Sequence, residues 1–307
     1  MLSRKNKKSD NTLYTGLSLH QNGARAALMR ALPGGGVRLE QLSEAPDNLP
    51  RQQQISTALS GLGSVNTPLT TVLSHSDYTL VQLEAPELPP EEVNEALRWR
   101  IRDMINFPVD EALIDHFNLP QSQRAGAARL AYVVAARPDK VNEIIDAVPS
   151  KQLRAVDIPE MAMRDLVMHT QEEQTFAYLY LSTHGALIEI CHGNEIYLSR
   201  QVDIASGLFE DNEQTEADMD DLLLEVQRSL DYFQSLYASG PVNGLQVLST
   251  SYQVEAAFVL SAGIYLSVPV VSFDLSAIDG LEAFSDEQRR RALLAMGAAI
   301  REMPCAA

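Results

Sequence analysis

Two stretches of this chain repeat one pattern, and the repeat limits its folds more than any other feature. Residues 13–20 (LYTGLSLH) alternate as a strand, Gly23 turns the chain, and ARAALMRAL runs back to a PGGG loop at 33–36 before a third strand, VRLEQL. Far downstream TFAYLYLS, ALIEICHG and IYLSRQV do the same, the last two joined around Gly193-Asn194. The glycines at 34–36 are not followed by Lys-Ser/Thr, so they read as a hairpin turn rather than a phosphate loop. A meander of this kind has an apolar face that helices must cover, and helical patterns follow both copies.

Between the meanders the spacing predicts a helix over 51–59, strands over 69–74 and 79–84, and then a proline-led helix. Pro89 and Pro90 suit its entrance and Glu91 and Glu92 its first turn, while Val93, Leu97, Ile101 and Met104 repeat at helical spacing until Asn106-Phe107-Pro108 ends it. IDHFNL, RLAYVVAAR and a helix over 138–148 complete an α/β insertion spanning about 84–153. RAVDIPEMAMRDLV then turns from strand to helix. Past the second meander, 210–225 holds eight acids and no base, read as a solvated loop and first turn, and Leu222, Val226, Leu230, Phe233 and Tyr237 form one apolar helical stripe. Residues 256–273 carry no charge for 18 residues, yet Gly263 and Pro269 interrupt them; a buried helix over 256–262 closed by Gly263, then a strand, is expected instead of a membrane span. Ser285 and Gln288 form a capping box for a final helix through RRRALLAMGAAIRE.

A length of 307 residues accommodates two domains, and 24 basic against 41 acidic residues leave a formal charge of −17, which excludes nucleic acid as an expected partner. Cys191 and Cys305 make no disulfide framework, consistent with a reducing, cytoplasmic setting. Arg4, Lys5, Lys7 and Lys8 lack the apolar core of a signal peptide; they read as a solvated tail or a weak contact to anionic lipid headgroups. His184, Cys191 and His192 share one hairpin, but neighbouring strand residues face opposite ways, so no zinc site is expected. No Gly-x-Ser-x-Gly, His-Glu-x-x-His or Cys-x-x-Cys pattern occurs, leaving an independent enzyme without a motif.

Four segments in order, INFPVDEALIDHF, LRAVDIPEMAMRDLV, EVQRSLDYFQS and LLAMGAAIRE, resemble conserved segments of the type IV pilus assembly PilM family, nearest to its MshI branch in mannose-sensitive haemagglutinin (MSHA) pilus systems. The resemblance runs from about residue 13 to the end. It implies an α/β, actin-like, FtsA-like fold of two ribonuclease-H-like lobes, with a nucleotide cleft between them and an α/β subdomain inserted in the first. On that plan 1–12 is a basic tail, 13–83 plus 154–172 the first lobe, 84–153 the partner-binding insertion, and 173–303 the second lobe, including helical 206–240 and a C-terminal helix returning toward the first lobe. It also implies a scaffold at the inner face of the bacterial inner membrane, peripherally associated with it. Such a scaffold holds the cytoplasmic N-terminal tail of a PilN-type protein in a groove between the first lobe and its insertion, and links to pilus motor ATPase components. Trp99, Phe107 and Pro108 are candidate groove residues; Trp99, off the apolar stripe of its helix, packs on the first lobe or on a partner, and Phe107 and Pro108 also serve as helix stop and anchor. A GspL-type secretion scaffold shares this ancestry, but it carries a membrane span after its cytoplasmic domain, and none is expected here after Cys305-Ala306-Ala307.

The family's nucleotide motifs are altered in this chain. Where its first hairpin reads GLDIGSSSVK, this chain reads GLSLHQNGAR: Ser18 stands at the acid, and His20, Gln21 and Asn22 fill the small-residue positions, while Arg25 keeps the lysine charge. The second hairpin offers Leu179 or Tyr180 at the aspartate, with no acid before Glu189. The adenosine segment reads LSTSYQ, keeping Ser249 but placing Thr250 and Ser251 where glycine lets backbone approach a purine. Loss of all three predicts no ATP hydrolysis and no required cofactor. Residual nucleotide binding, with Glu160, Asp203 or Glu225 as substitute ligands, and an active ATPase that gates assembly are the alternatives.

Overall fold

The computed structural model describes residues 12–21, 23–63, 66–122, 126–170, 174–203, 206–209, 215–237 and 242–303. The basic tail residues 4–8, Asn22, the start of the acidic run at 210–214 and Cys305 therefore lie outside the described residues. Along the chain run β1 (Leu13–His20), β2 (Gly23–Ala31), β3 (Val37–Ala45), α1 (Arg51–Ser60), β4 (Leu69–Val72), β5 (Tyr78–Glu84), α2 (Pro90–Arg100), β6 (Leu113–Asn118), β7 (Leu130–Ala136), α3 (Pro138–Ala147), β8 (Leu153–Asp157) and α4 (Pro159–Thr170). Then follow β9 (Thr175–Ser182), β10 (Gly185–His192), β11 (Glu195–Val202), α5 (Thr215–Leu236), β12 (Leu245–Ser249), α6 (Tyr252–Tyr265), β13 (Val270–Ser272), β14 (Ile278–Asp279), α7 (Asp286–Arg291) and α8 (Leu293–Ile300). Contacts divide them into two compact units, one of residues 1–74, 143–171 and 274–307, the other of 75–142 and 172–273.

The first unit is built on a sheet ordered β14-β3-β2-β1-β4-β8. Its meander β1-β2-β3 is antiparallel, and β4 and β8 add in parallel. Helix α8, with all eight residues buried, lies on β1 and on α4. Glycine permits that approach: a Cβ on Gly16 would sit 1.8 Å from the Ala295 carbonyl oxygen, and one on Gly297 2.0 Å from that of Ala162. Just past α8, Arg301 pairs with the buried Asp157 at the end of β8. Burial pushes the Asp157 carboxyl up, against the downward pull of the guanidinium.

The second unit contains a sheet ordered β11-β10-β9-β12-β13, again an antiparallel meander extended by parallel strands. The stripe Leu222, Val226, Leu230, Phe233 and Tyr237 is buried along its whole length, against Leu179, Leu181, Ile188 and Val247 of the sheet. A separate antiparallel sheet, β5-β7-β6, carries α2 over a small core of Val93, Leu97, Ile101, Val133 and Ala135, with Phe107 against it. Hydrogen bonds tie the two sheets. The Tyr132 hydroxyl donates to the Ser199 carbonyl at 2.6 Å and accepts from its amide at 2.9 Å, and Gln201 donates to the Tyr78 hydroxyl at 2.6 Å.

Several boundaries differ from expectation. Strand β5, counted above mostly with the first lobe, pairs with β7 along its length. Helix α2 stops at Arg100, so Met104 is 53% exposed instead of extending the apolar stripe. Gly263 does not end α6, which continues to Tyr265 with Leu266 as its cap. The capping box at Ser285 and Gln288 is present, but the final helix breaks at Ala292 into α7 and α8. Among the described residues no helix is long and apolar enough to cross a membrane.

Candidate functional site

Two places in the chain could carry function: the loops at the altered nucleotide motifs, and a groove on the three-stranded sheet. The β1–β2 turn is a two-residue hairpin, with His20 paired to Gly23. Ser18 is fully buried, and its hydroxyl meets His20 Nε2 at 3.2 Å, so the imidazole folds back into the hairpin. Arg51 Nη1 donates to the His20 carbonyl at 2.6 Å, tying down the turn. Gln21 is exposed at its tip. Arg25 is committed to Glu44 across the strand pair at 3.0 Å, and Arg291 binds the same carboxylate at 2.5 Å.

The second and third loops are closed in the same manner. At the β9–β10 turn the His184 amide donates to Ser182 Oγ at 3.3 Å, and that hydroxyl donates to the Gly185 carbonyl at 3.2 Å. Leu179 points into the core under α5, while Tyr180, buried, takes the opposite sheet face. The neighbouring His75 imidazole is pushed down to about 4 by burial first and His184 second, against the upward pull of Asp203. At the third loop Ser249 Oγ accepts from the Ser251 amide at 3.1 Å, Glu255 Oε2 accepts from the Ser249 amide at 3.1 Å, and Ser251 caps α6 by accepting from Val254 at 3.4 Å. The Thr250 amide donates to Leu181 at 3.0 Å.

An anion site at a turn or helix start needs amides that are free to point at it. Here the His184, Ser249, Thr250, Ser251 and Val254 amides already have partners within the fold. Of the substitute ligands, Asp203 is exposed and lines a cavity together with Asp218, Asp221 and Glu225, while the other two are engaged or enclosed. Glu160 is fully buried in α4, Glu225 is held by Arg200 at 3.1 Å and Arg228 at 2.5 Å, and no group of three or more His, Cys, Asp or Glu among the described residues is placed to hold a metal ion. Among the described residues the second and third turns thus offer a phosphate no open amides at these five positions. Cys191 is buried and His192 exposed, so the hairpin also splits that pair.

The groove lies in the second unit and has a cavity volume of about 850 Å³, within the range of real ligand sites. Pro86, Leu88, Pro89, Val93, Leu119 and Leu130 form its apolar walls, with Arg129, Glu195 and His116 as polar groups. His116 Nδ1 lies 2.6 Å from Asn94 Oδ1, which fixes the ring. Strand β6, whose end lines the groove, is an edge of its sheet among the described residues; in its outward row the His116 amide donates to Asp115 Oδ1 at 2.8 Å. Trp99, Phe107 and Pro108 are not in this lining. Trp99 is 54% exposed with its indole NH on Glu95 at 3.1 Å, Phe107 packs on the small core and Pro108 is exposed. No local motif marks the groove, because its wall joins residues 85–93, 116–121, 129–130 and 195.

No protein-family profile matches the chain, and no curated protein matches it. Solved structures do. A chain of a PilM–PilN type IV pilus biogenesis complex overlaps it with a TM-score of 0.69 at 18% identity, over 95% of this chain and 98% of that one. A Bacteroides thetaiotaomicron protein of actin-like ATPase fold and unknown function gives 0.54 at 7% identity, covering 92% and 95%. This chain has the actin-like fold. The cytoplasmic domain of EpsL, an inner-membrane component of the Vibrio cholerae type II secretion system, is also similar, with a TM-score of 0.52 at 10% identity over 95% and 97%.

Proposed function

We propose that this chain is a non-catalytic scaffold of a type IV pilus assembly system, of the MshI type that serves MSHA pili, and that it grips the cytoplasmic N-terminal tail of a PilN-type inner-membrane protein. The observation that carries the reading is the groove at one end of the β5-β7-β6 sheet, apolar-walled, flanked by Arg129 and Glu195 and bordered by the end of the edge strand β6. An extended peptide gains main-chain pairing from such an edge and side-chain contacts from such walls. The likeness to a chain from a PilM–PilN complex supports a tail of that kind as the occupant, and it overlaps this chain better than EpsL does. The scaffold would work at the inner face of the membrane, linking its tail-bearing partner to pilus motor components.

Absence of catalysis belongs to the same proposal. Phosphoryl transfer needs positioned positive charge and amides on the phosphates. In this chain Ser18 replaces the acid, Arg25 is spent on Glu44, and amides of the second and third loops are capped from within. Fluorescence anisotropy with a labelled synthetic peptide of the PilN-type tail tests the reading. Leu88 is 43% exposed, so Leu88→Asp leaves the core intact and is expected to weaken binding by roughly tenfold or more. A peptide that fails to bind the wild-type chain, or binds both equally, contradicts it.

A further inference from the structure

Helix α6 is apolar on both sides, and among the described residues only one side is covered. Val254, Phe258 and Ala262 face the core, with Glu255 turned in to the Ser249 amide. On the opposite side Tyr252 is 59% exposed, Leu260 72% and Ile264 75%, with Val271 of the adjoining edge strand β13 at 51%. Leu260 lies diametrically opposite the buried face at 100° per residue. Together these four residues present on the order of 500 Å² of mostly apolar surface. That is at the upper end of what a monomer leaves bare and makes up over half of the ~800 Å² each partner gives to a standard interface.

We infer that the outer face of α6, with Val271 of β13 at its margin, is the surface through which two copies of this chain pair. Three observations select a second copy. From 256 to 273 the sequence has no charge, on a chain of net charge −17, so a symmetric contact here is free of the acid-against-acid repulsion that most other faces would bring. Tyr252, Ala256, Leu260 and Ile264 form one ridge at four-residue spacing, the kind that interdigitates with its own copy at about −50°. A twofold axis through Leu260 sets each Ile264 over the other chain's Ala256, large against small, as an isologous interface requires. A lipid surface is the poorer occupant, because helices that lie in membrane interfaces carry Lys and Arg on the polar face and α6 has neither.

Sedimentation velocity on the full chain from roughly 1 to 100 μM tests the inference. A species of twice the 33.8 kDa chain mass is expected, with Leu260→Asp/Ile264→Asp remaining at 33.8 kDa while keeping wild-type circular dichroism and melting temperature, since both positions are solvent-facing. A wild-type chain that stays monomeric throughout overturns the inference, including the case where its own N-terminal residues cover α6. So does a dimer that survives the double substitution. Flotation with phosphatidylethanolamine–phosphatidylglycerol vesicles supplies the last arm: a monomer that binds them through these residues assigns the face to lipid and also overturns it. Tail-peptide binding is read separately, so either proposal can fail alone.

Discussion

The same substitution, glycine to alanine inside a helix, should have opposite effects in the two units. In an open helix interior alanine is favoured over glycine by about 1 kcal/mol. Gly263 in α6 has nothing within 4 Å of where its Cβ would be, so Gly263→Ala should keep most of that gain, about 0.5–1 kcal/mol. Gly297 in α8 is different: the new Cβ would lie 2.0 Å from the Ala162 carbonyl oxygen and 2.7 Å from its carbon, both backbone atoms that no rotamer change can move. Restoring contact distance requires α8 to retreat from α4 by about 1 Å, opening a packed face of eight buried residues. Overpacking costs of up to about 3 kcal/mol, less the helix-propensity gain, leave Gly297→Ala destabilised by about 2 kcal/mol. Thermal melts followed by far-UV circular dichroism at micromolar protein should show that variant melting roughly 4–8 °C lower and Gly263→Ala 1–3 °C higher. A Gly297→Ala protein as stable as wild type would show that α8 and α4 are not in backbone contact and would refute the packing.

Arg301→Ala strands the buried Asp157 carboxylate and should cost about 2–3 kcal/mol in urea denaturation, with Asp157→Asn on that background recovering at least half; equal stability of the single variant would contradict a coupled pair. His75 is neutral in the fold with its value lowered to about 4, so its contribution is fully present above the unfolded value of 6.5 and is lost as pH falls from there toward 4. The loss is expected to be roughly 1–2 kcal/mol after allowance for the ring's residual solvent contact, and absent in His75→Gln, with NMR titration of the ring placing the midpoint directly. Tyr132→Phe removes a hydroxyl that both donates to and accepts from Ser199, and about 1–2 kcal/mol of stability with it; hydrogen exchange should quicken at the Ser199 amide and along β11. Unchanged protection there would count against that hydroxyl as a tie between the sheets.

Local periodicity made most of the architecture legible. Both meanders, the α5 stripe and the capping box at Ser285 lie where alternation, four-residue spacing and Ser-x-x-Gln put them, because each is decided within a dozen residues. Elements ended by tertiary packing were not legible. Gly263 carries a C-terminal signal but stays helical because α6 continues packing through Ala262 to Leu266, and α2 stops before Met104 because the chain turns at Ile101. For the same reason the altered nucleotide residues were visible in sequence while the closure of their loops was not. Ser182, Arg51 and Glu255 supply that closure, and no motif names them. The groove was least legible, its walls coming from four separated stretches, and Trp99, conspicuous in sequence, rests outside them on Glu95.

Isothermal titration of the PilN-type tail peptide into the full chain, with and without saturating ATP and Mg²⁺, tests the central proposal most directly. Heat of peptide binding with the same affinity in both conditions, and none when ATP and Mg²⁺ are titrated alone, is the expected result. Micromolar nucleotide binding that shifts tail affinity by roughly fivefold or more would contradict it and would establish a nucleotide-gated switch in its place.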